Sequence, residues 1–416
     1  MKRAAWLLLC AWAAWAGLAA AQTMPGLPSD DLVRQALRDH PGILAAESEV
    51  EQEIANRDRL EAGEYEWNLR LGGQQRRVRE DNDPIHHYRE WNATLERPLR
   101  LPGKAATDSD IGNTGIARAE AARDEARHEL MRDLLKTWFA WQKENAAADQ
   151  WAAQVKLIDK QAQMVKRRQQ LGDASRLETI QAEAALAQTK AQWIQAVWRQ
   201  QAARETLRRR YPALAGAEPA NADEPQLIAG GNEEWQTAIA EHSHQLLLAR
   251  QETRLAQLNA TRARQNRIPD PSIGVTFSSE HSGEEHIVGG YISIPLPGAA
   301  RSAAERSAQA AADAARYREA ALTRQIALNT VTKLQSARAA YATWQASRSA
   351  TAQLKEAATK AARAHQLGEG SLHDWLSVLR QANESELASR QNQFETLEQS
   401  ANLMLDAHRI WEFGYE

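Results

Sequence analysis

Leu367-Gly368-Glu369-Gly370-Ser371-Leu372-His373-Asp374-Trp375-Leu376 lies between two long runs rich in Ala and Gln. A weaker copy, Leu171-Gly172-Asp173-Ala174-Ser175-Arg176-Leu177-Glu178-Thr179-Ile180, stands about 200 residues earlier. In each copy a glycine interrupts a helical pattern, and a serine with an acidic residue behind it restarts one. Glycine supplies the left-handed backbone that ends a helix, and serine caps the next. Each copy therefore reads as the tip of a long helical hairpin.

Working outward from the first tip, a helix is expected from about Lys104 to Gln170 and a second from about Ser175 to Arg210, stopped by Tyr211-Pro212. The first contains no proline, and its apolar positions include Ile116, Leu130, Leu134, Trp138, Val155, Ile158 and Val165, spaced mostly by multiples of three and four. At 1.5 Å per residue it runs roughly 100 Å. Upstream, Ser29 to Ala62 reads as a helix kinked or restarted at His40-Pro41. Between these helices the period changes to two. Trp67, Leu69 and Leu71 alternate with polar residues, as do Trp91, Ala93 and Leu95, with Arg79 to His87 as a polar loop.

The second tip has the same surroundings. A helix is expected from about Glu233 to Arg267, then a strand with Ile273, Val275 and Phe277, a polar loop from Ser278 to His286, and a return strand from Val288 to Leu296. A helix from about Ala300 to Gln366 leads to the tip, and the last helix ends near Trp411. A unit this long is a duplicated half rather than a solenoid repeat. The expected division is a signal peptide at 1–21, a first half at 22–212, a Pro-, Ala- and Gly-rich connector at 213–230 and a second half at 231–416.

The signal peptide rests on Lys2 and Arg3, an apolar run from Ala4 to Leu18, and Ala19-Ala20-Ala21 before Gln22. The run is shorter than the ~20 residues a transmembrane helix needs. A lipoprotein signal at Leu7-Leu8-Leu9-Cys10 is the other reading, but Leu9 is bulky and the apolar run continues past Cys10. Cys10 is the only cysteine, so the mature chain is expected to have no disulfide, catalytic thiol or Cys-ligated metal. Of 51 Lys+Arg and 54 Asp+Glu, removing Lys2 and Arg3 leaves 49 against 54, a net charge of −5. That balance gives no support to nucleic-acid binding.

Four amphipathic strands per chain are of membrane-spanning length, and strands in lipid must close into a barrel because unpaired edges are costly. The smallest barrels have about eight strands, so the strands must pair between chains. Two chains give eight strands and three give twelve. The larger lumen makes a trimer the better conduit. The helices also need partners, since their apolar stripes are thin and Ala buries little area. The expected fold is mainly α with a small β part: two repeats, each a long helical hairpin with a transmembrane β-hairpin, forming a trimeric α-barrel joined to a 12-stranded β-barrel.

With its signal peptide, duplicated order and Leu-Gly-x-x-Ser tips followed by an acidic residue, the chain resembles the outer-membrane efflux protein family typified by TolC. The resemblance covers nearly the whole mature chain. Pro98-Leu-Arg-Leu-Pro-Gly-Lys104 and the short C-terminus resemble the heavy-metal cation-efflux (Czc-type) branch. The resemblance implies a homotrimeric exit duct in the Gram-negative outer membrane with a long periplasmic part. Its partners would be a periplasmic membrane-fusion adaptor, an inner-membrane pump of the resistance-nodulation-division type and outer-membrane lipid, with no cofactor. It implies adaptor docking for Leu171, Gly172, Ser175, Leu367, Gly368 and Ser371, and a pore entrance at Glu178, His365, Asp374 and Ser377. Ser377 stands where the family often has a second aspartate. Family members also link neighbouring tips through a tyrosine and an acidic residue; those places hold His365 and Glu178, so that bond does not carry over, and the readings left are a replacing His–Glu pair, firmer at mildly acidic pH, or two solvated tip residues that never meet.

Each assignment has a plainer reading. The tip glycines also fit ordinary turns, and Asp374 also fits a first-turn aspartate favoured by the helix dipole. His86, His87, His281 and His286 fall in the expected loops and read as solvated rather than as a metal site. His242 and His244, two apart on one helix, point to different faces. Trp67 and Trp91 fit an interfacial belt, while Trp138, Trp193 and Trp344 fit helix packing. No enzyme is expected: His128-Glu129 has Arg132 where a zincin needs its second His, and no phosphate loop or nucleophile elbow is present. A periplasmic coiled-coil scaffold without a pore is the alternative. It explains the helices but not the two strand pairs.

Overall fold

The computed structural model describes Met24 and residues 26–79, 84–219, 224–411 and 413. The expected signal peptide lies outside the described residues, as do 220–223 of the connector. Helices α1 (Asp30–Arg38) and α2 (Pro41–Ala62) precede strands β1 (Asn68–Val78) and β2 (His86–Pro98), then helices α3 (Lys104–Gln170) and α4 (Arg176–Arg210). Helices α5 (Asn232–His242) and α6 (His244–Gln265), strands β3 (Ser272–Glu280) and β4 (Glu285–Ser293), and helices α7 (Ala299–Gln366) and α8 (Leu372–Asp406) follow in the same order. The chain is thus mostly helical with a small sheet. α3 and α7 have 67 and 68 residues, each about 100 Å long.

Several expectations are corrected. The single helix over Glu233–Arg267 is two helices, because Ser243 is extended (φ −69, ψ 107) and its hydroxyl caps α6 by accepting from the Leu246 amide. The strands run further into the expected loops. His86, His87 and His286 lie in strands, which leaves only His281 of the four in a turn. Ile294 and Leu296 fall beyond β4, and α8 ends at Asp406 rather than near Trp411. Trp138 and Trp344 are buried as expected, but Trp193 is exposed.

The core is divided along the length. Around the middle of α3, Val33 and Leu37 of α1 pack with Leu134, Trp138 and Phe139, Leu207, and Phe394 and Leu397 of α8. A second cluster nearer the tips holds the two hairpins together through Ile158, Val165, Ala182, Ala358, Leu372 and Trp375. Small residues set the spacing: a Cβ on Gly112 of α3 would stand 2.9 Å from the Arg57 Cα of α2.

The four strands form one antiparallel sheet in the order β1-β2-β3-β4. Its register aligns Leu69 with Leu95, Leu95 with Val275 and Val275 with Gly290, and one strand step on, Leu71 with Ala93, Ala93 with Phe277 and Phe277 with Val288. Alternate residues share a face, so one face carries Leu69, Leu71, Trp91, Leu95, Val275, Val288 and Ile292. It is largely open, with Leu71 70% and Val288 76% exposed. The other face carries a polar network. Arg76 lies 3.2 Å from Glu90 and 2.8 Å from Glu280, Gln74 donates to Glu90 at 2.8 Å, and the Tyr291 hydroxyl donates to Glu96 at 2.5 Å.

Where the sheet meets the helices, Lys104 is 2% exposed, and its ammonium donates to the Ile268 carbonyl at 2.8 Å and to Asp270 at 2.9 Å. Asp270 also accepts from the Tyr65 hydroxyl and the Leu101 amide. Beside it, Arg262 donates to Asp108 at 2.5 Å.

Candidate docking tips and pore entrance

Both hairpins turn by one device. At the first tip the Gly172 amide donates to the Gln169 carbonyl and the Asp173 amide to the Arg168 carbonyl. At the second, Gly368 donates to His365 and Glu369 to Ala364. This pair of bonds closes a helix when the intervening residue is left-handed, and Gly172 and Gly368 have φ of +81 and +79. No atom lies within 4 Å of where a Cβ would stand on either glycine, so both tips are open to solvent. Leu171 and Leu367, just before the glycines, are exposed apolar side chains.

The restarting helices are capped as their serines predict. Ser175 accepts from the Glu178 amide at 3.1 Å while the Glu178 carboxylate accepts from the Ser175 amide at 2.7 Å, a reciprocal capping box. The bond from the Ser175 amide is the main reason the Glu178 carboxyl is held below its ordinary range. Ser371 accepts from the Asp374 amide at 3.0 Å, and its hydroxyl donates to the Asp374 carboxylate at 2.7 Å. Both acidic residues thus place negative charge at a helix N-terminus, where the dipole favours it.

The four residues expected at the entrance do not form one cluster. Glu178 and Asp374 each serve their own cap. Ser377 lines a groove of about 620 Å³ between the hairpins, with Trp151, Gln154, Gln188, His373 and Arg380. His365 is turned inward: it is 7% exposed, its ring stacks 5.7 Å from Trp375, and Nδ1 lies 3.2 Å from the Gly370 carbonyl. A carbonyl can only accept, so Nδ1 carries the proton. Within the chain His365 and Glu178 form no ion pair and Glu178 caps its own helix, yet His365 stands near enough to help lower the Glu178 carboxyl.

One cluster was missed from the sequence. His128, His244 and His408 come together where α3, the start of α6 and the end of α8 meet, with His242 against His408. Burial pushes His128 down to about 3 and His408 down to about 4. The break at Ser243 overturns the expectation that His242 and His244 diverge: both rings lie beside His408.

No family model and no curated protein matches the sequence. Solved structures do. The chain is similar to the outer membrane protein VceC of Vibrio cholerae, with TM-score 0.74 at 16% identity over 91% of this chain and 95% of that one. It is also similar to the CmeC outer membrane channel of Campylobacter jejuni, with TM-score 0.68 at 15% identity over 93% and 86%. CusC, described with its transmembrane channel formation, gives TM-score 0.67 at 17% identity over 90% and 91%. The chain therefore shares the fold of these outer-membrane proteins.

Proposed function

We propose that this chain is the outer-membrane exit duct of a tripartite efflux system, passing substrate from the periplasm to the exterior. The observation that carries the reading is the two-faced sheet. An apolar face open to the surroundings backs onto a polar, hydrogen-bonded face, the arrangement of a strand set with lipid on one side and water on the other. β1 and β4 are edges, 11 and 9 residues long. Edges of that length in lipid need partners. Three copies supply twelve strands, and the same symmetry brings neighbouring hairpins against the outer face of α4, where Ile194 and Trp198 are exposed. A pore-free periplasmic scaffold would leave the apolar sheet face in water.

In this reading the chain is exported by the segment at 1–21 and its two halves, 22–212 and 231–416, each give one β-hairpin and one helical hairpin to the duct. Leu171, Gly172, Ser175, Leu367, Gly368 and Ser371 form the docking tips for a periplasmic adaptor, which joins the duct to an inner-membrane pump. Glu178, Asp374 and Ser377 give the entrance its polar lining, and His365 shapes it from inside the second hairpin. Fractionation with a detergent-corrected mass tests the proposal. Recovery with the outer membrane as a trimer supports it; a soluble periplasmic protein, a monomer or a tetramer refutes it.

A further inference from the structure

We propose that His128, His244 and His408 form a binding site for one divalent transition-metal cation of the zinc class, where α3, the start of α6 and the end of α8 meet, far along the chain from both tips. The three residues come from α3, the start of α6 and the residue pair after α8. Their ring centres form a triangle with sides of 5.9, 5.5 and 4.9 Å. A zinc ion with Zn–N distances of about 2.1 Å and tetrahedral angles sets ligand ring centres about 5.2 Å apart. The His242 ring stands 5.3 Å from that of His408.

Two further observations point to a ligand. The Nε2 atoms of both His128 and His408 are buried without a hydrogen-bond partner, and His128 is 7% exposed. A buried unpaired polar atom is costly, and coordination would satisfy both. Second, His408 has a left-handed backbone, φ 53. It closes α8 by the same pair of bonds as the tip glycines, with its amide donating to the Leu405 carbonyl and the Arg409 amide to that of Met404. Glycine usually fills such a place. Here a histidine does, and its ring meets the other two beside a cavity of about 200 Å³ that they line with Asp124, Arg127 and Met131.

The electrostatic surroundings are mixed. Arg127, Arg132 and Lys333 oppose a cation and Asp124 and Asp406 favour it, with Asp406 also paired to Lys333. Arg132 is already engaged by Glu129 and Asp406, and Asp406 lies 3.6 Å from His128 Nε2. Among the described residues no group of three such side chains is placed to hold a metal ion as the chain stands, so binding requires the rings to turn within their broad χ2 wells. Burial keeps His128 and His408 neutral, the form that ligates metal. The bound ion would tie α3, α6 and the end of α8 together.

The inference does not depend on the channel reading, and its test needs no transport. The full-length protein, stripped with EDTA and dialysed, is titrated with ZnCl₂ by calorimetry and with CoCl₂ by absorbance. The expected result is one saturable site per chain, a Co²⁺ ligand-field band and a Zn²⁺-dependent rise in Tm. His408→Gly keeps a left-handed turn that glycine favours, and His244→Gln changes a half-buried position, so both variants are expected to fold. Each should weaken binding at least tenfold, roughly the lower bound for disturbing a metal site, and remove the Co²⁺ band. No saturable binding, or binding unchanged in either variant, overturns the site.

Discussion

The ammonium of Lys104 lies 2.9 Å from Oδ1 of Asp270, joining the first residue of α3 to the segment that leads into β3. The pair locks the long helix to the sheet from the other half of the chain. Burial alone would raise the Asp270 carboxyl, but hydrogen bonds from Lys104, the Leu101 amide and Tyr65 outweigh it and hold it below its ordinary range. Asp270→Ala leaves a buried lysine without its counter-charge, and a loss of about 3 kcal/mol in chemical denaturation is expected. Because the folded carboxyl is the stronger acid, the stabilisation is present above the unfolded value of 3.8 and is lost as pH falls through the folded value. The acid limb of the wild-type stability profile should therefore flatten in Asp270→Asn.

The histidine cluster titrates in a higher window. Burial depresses His128 to about 3 and His408 to about 4 from an ordinary 6.5. The unfolded chain therefore takes up protons that the folded chain refuses. The stabilisation from neutral burial is complete above about 6.5 and falls as pH drops towards 4, by up to about 1.4 kcal/mol per pH unit for each histidine. Glu125, raised to about 7 by burial, acts in the opposite sense in this window, so the histidine contribution is the difference between wild type and His128→Gln in melting temperatures recorded in EDTA from pH 7.5 to 4.5. A parallel profile for the variant would contradict the assignment.

Gly368→Val tests the second tip. No neighbour obstructs a side chain there, so only the backbone is strained, by roughly 1–2 kcal/mol. Local hydrogen exchange should rise at 364–372 while the overall Tm changes little, and adaptor capture should drop. Normal export with normal tip protection would show that the tip is not a docking element.

Within one chain His365 packs its own tip and makes no ion pair with Glu178. Its Nδ1–H is spent on Gly370 and its ring on Trp375. His365→Gln and wild type should therefore show the same pH dependence of conductance between pH 5 and 8. A pH-dependent step that vanishes in the variant would restore the His365–Glu178 link.

The strand faces make opposite predictions. Leu71→Arg places a charge on the open apolar face and should cost about 2–4 kcal/mol and trimer yield if that residue meets lipid near the bilayer midplane. Thr276→Arg, on the polar face, should assemble normally and alter ion selectivity instead.

Much of this architecture is legible along the chain. Gly103 and the Leu171-Gly172 pair bracket an uninterrupted helical pattern, so α3 is found where expected. The break between α5 and α6 is not legible, because Ser243 caps a helix without a proline or glycine to announce it. Polar strand ends mislead for a different reason. Ser278 and Glu280 look like loop, yet Glu280 stays in register because Arg76 reaches it across the sheet. The histidine cluster depends on residues more than 100 positions apart and on a left-handed turn at His408, which no local pattern signals. The inward turn of His365 likewise needs the neighbouring helix, since only Trp375 across the tip shows which way the ring faces.

The most direct measurement of the two-faced sheet is thiol labelling of adjacent positions in intact outer membranes. Cys10 is the only native cysteine, so a Cys10→Ser background gives clean single-cysteine variants. Val275→Cys and Thr276→Cys lie one residue apart on opposite faces of β3. The account predicts that a membrane-impermeant maleimide labels the cysteine at 276 from the water-filled lumen and fails to label that at 275, which faces lipid. Equal labelling at both positions, or recovery of both variants in the soluble periplasmic fraction, would contradict it.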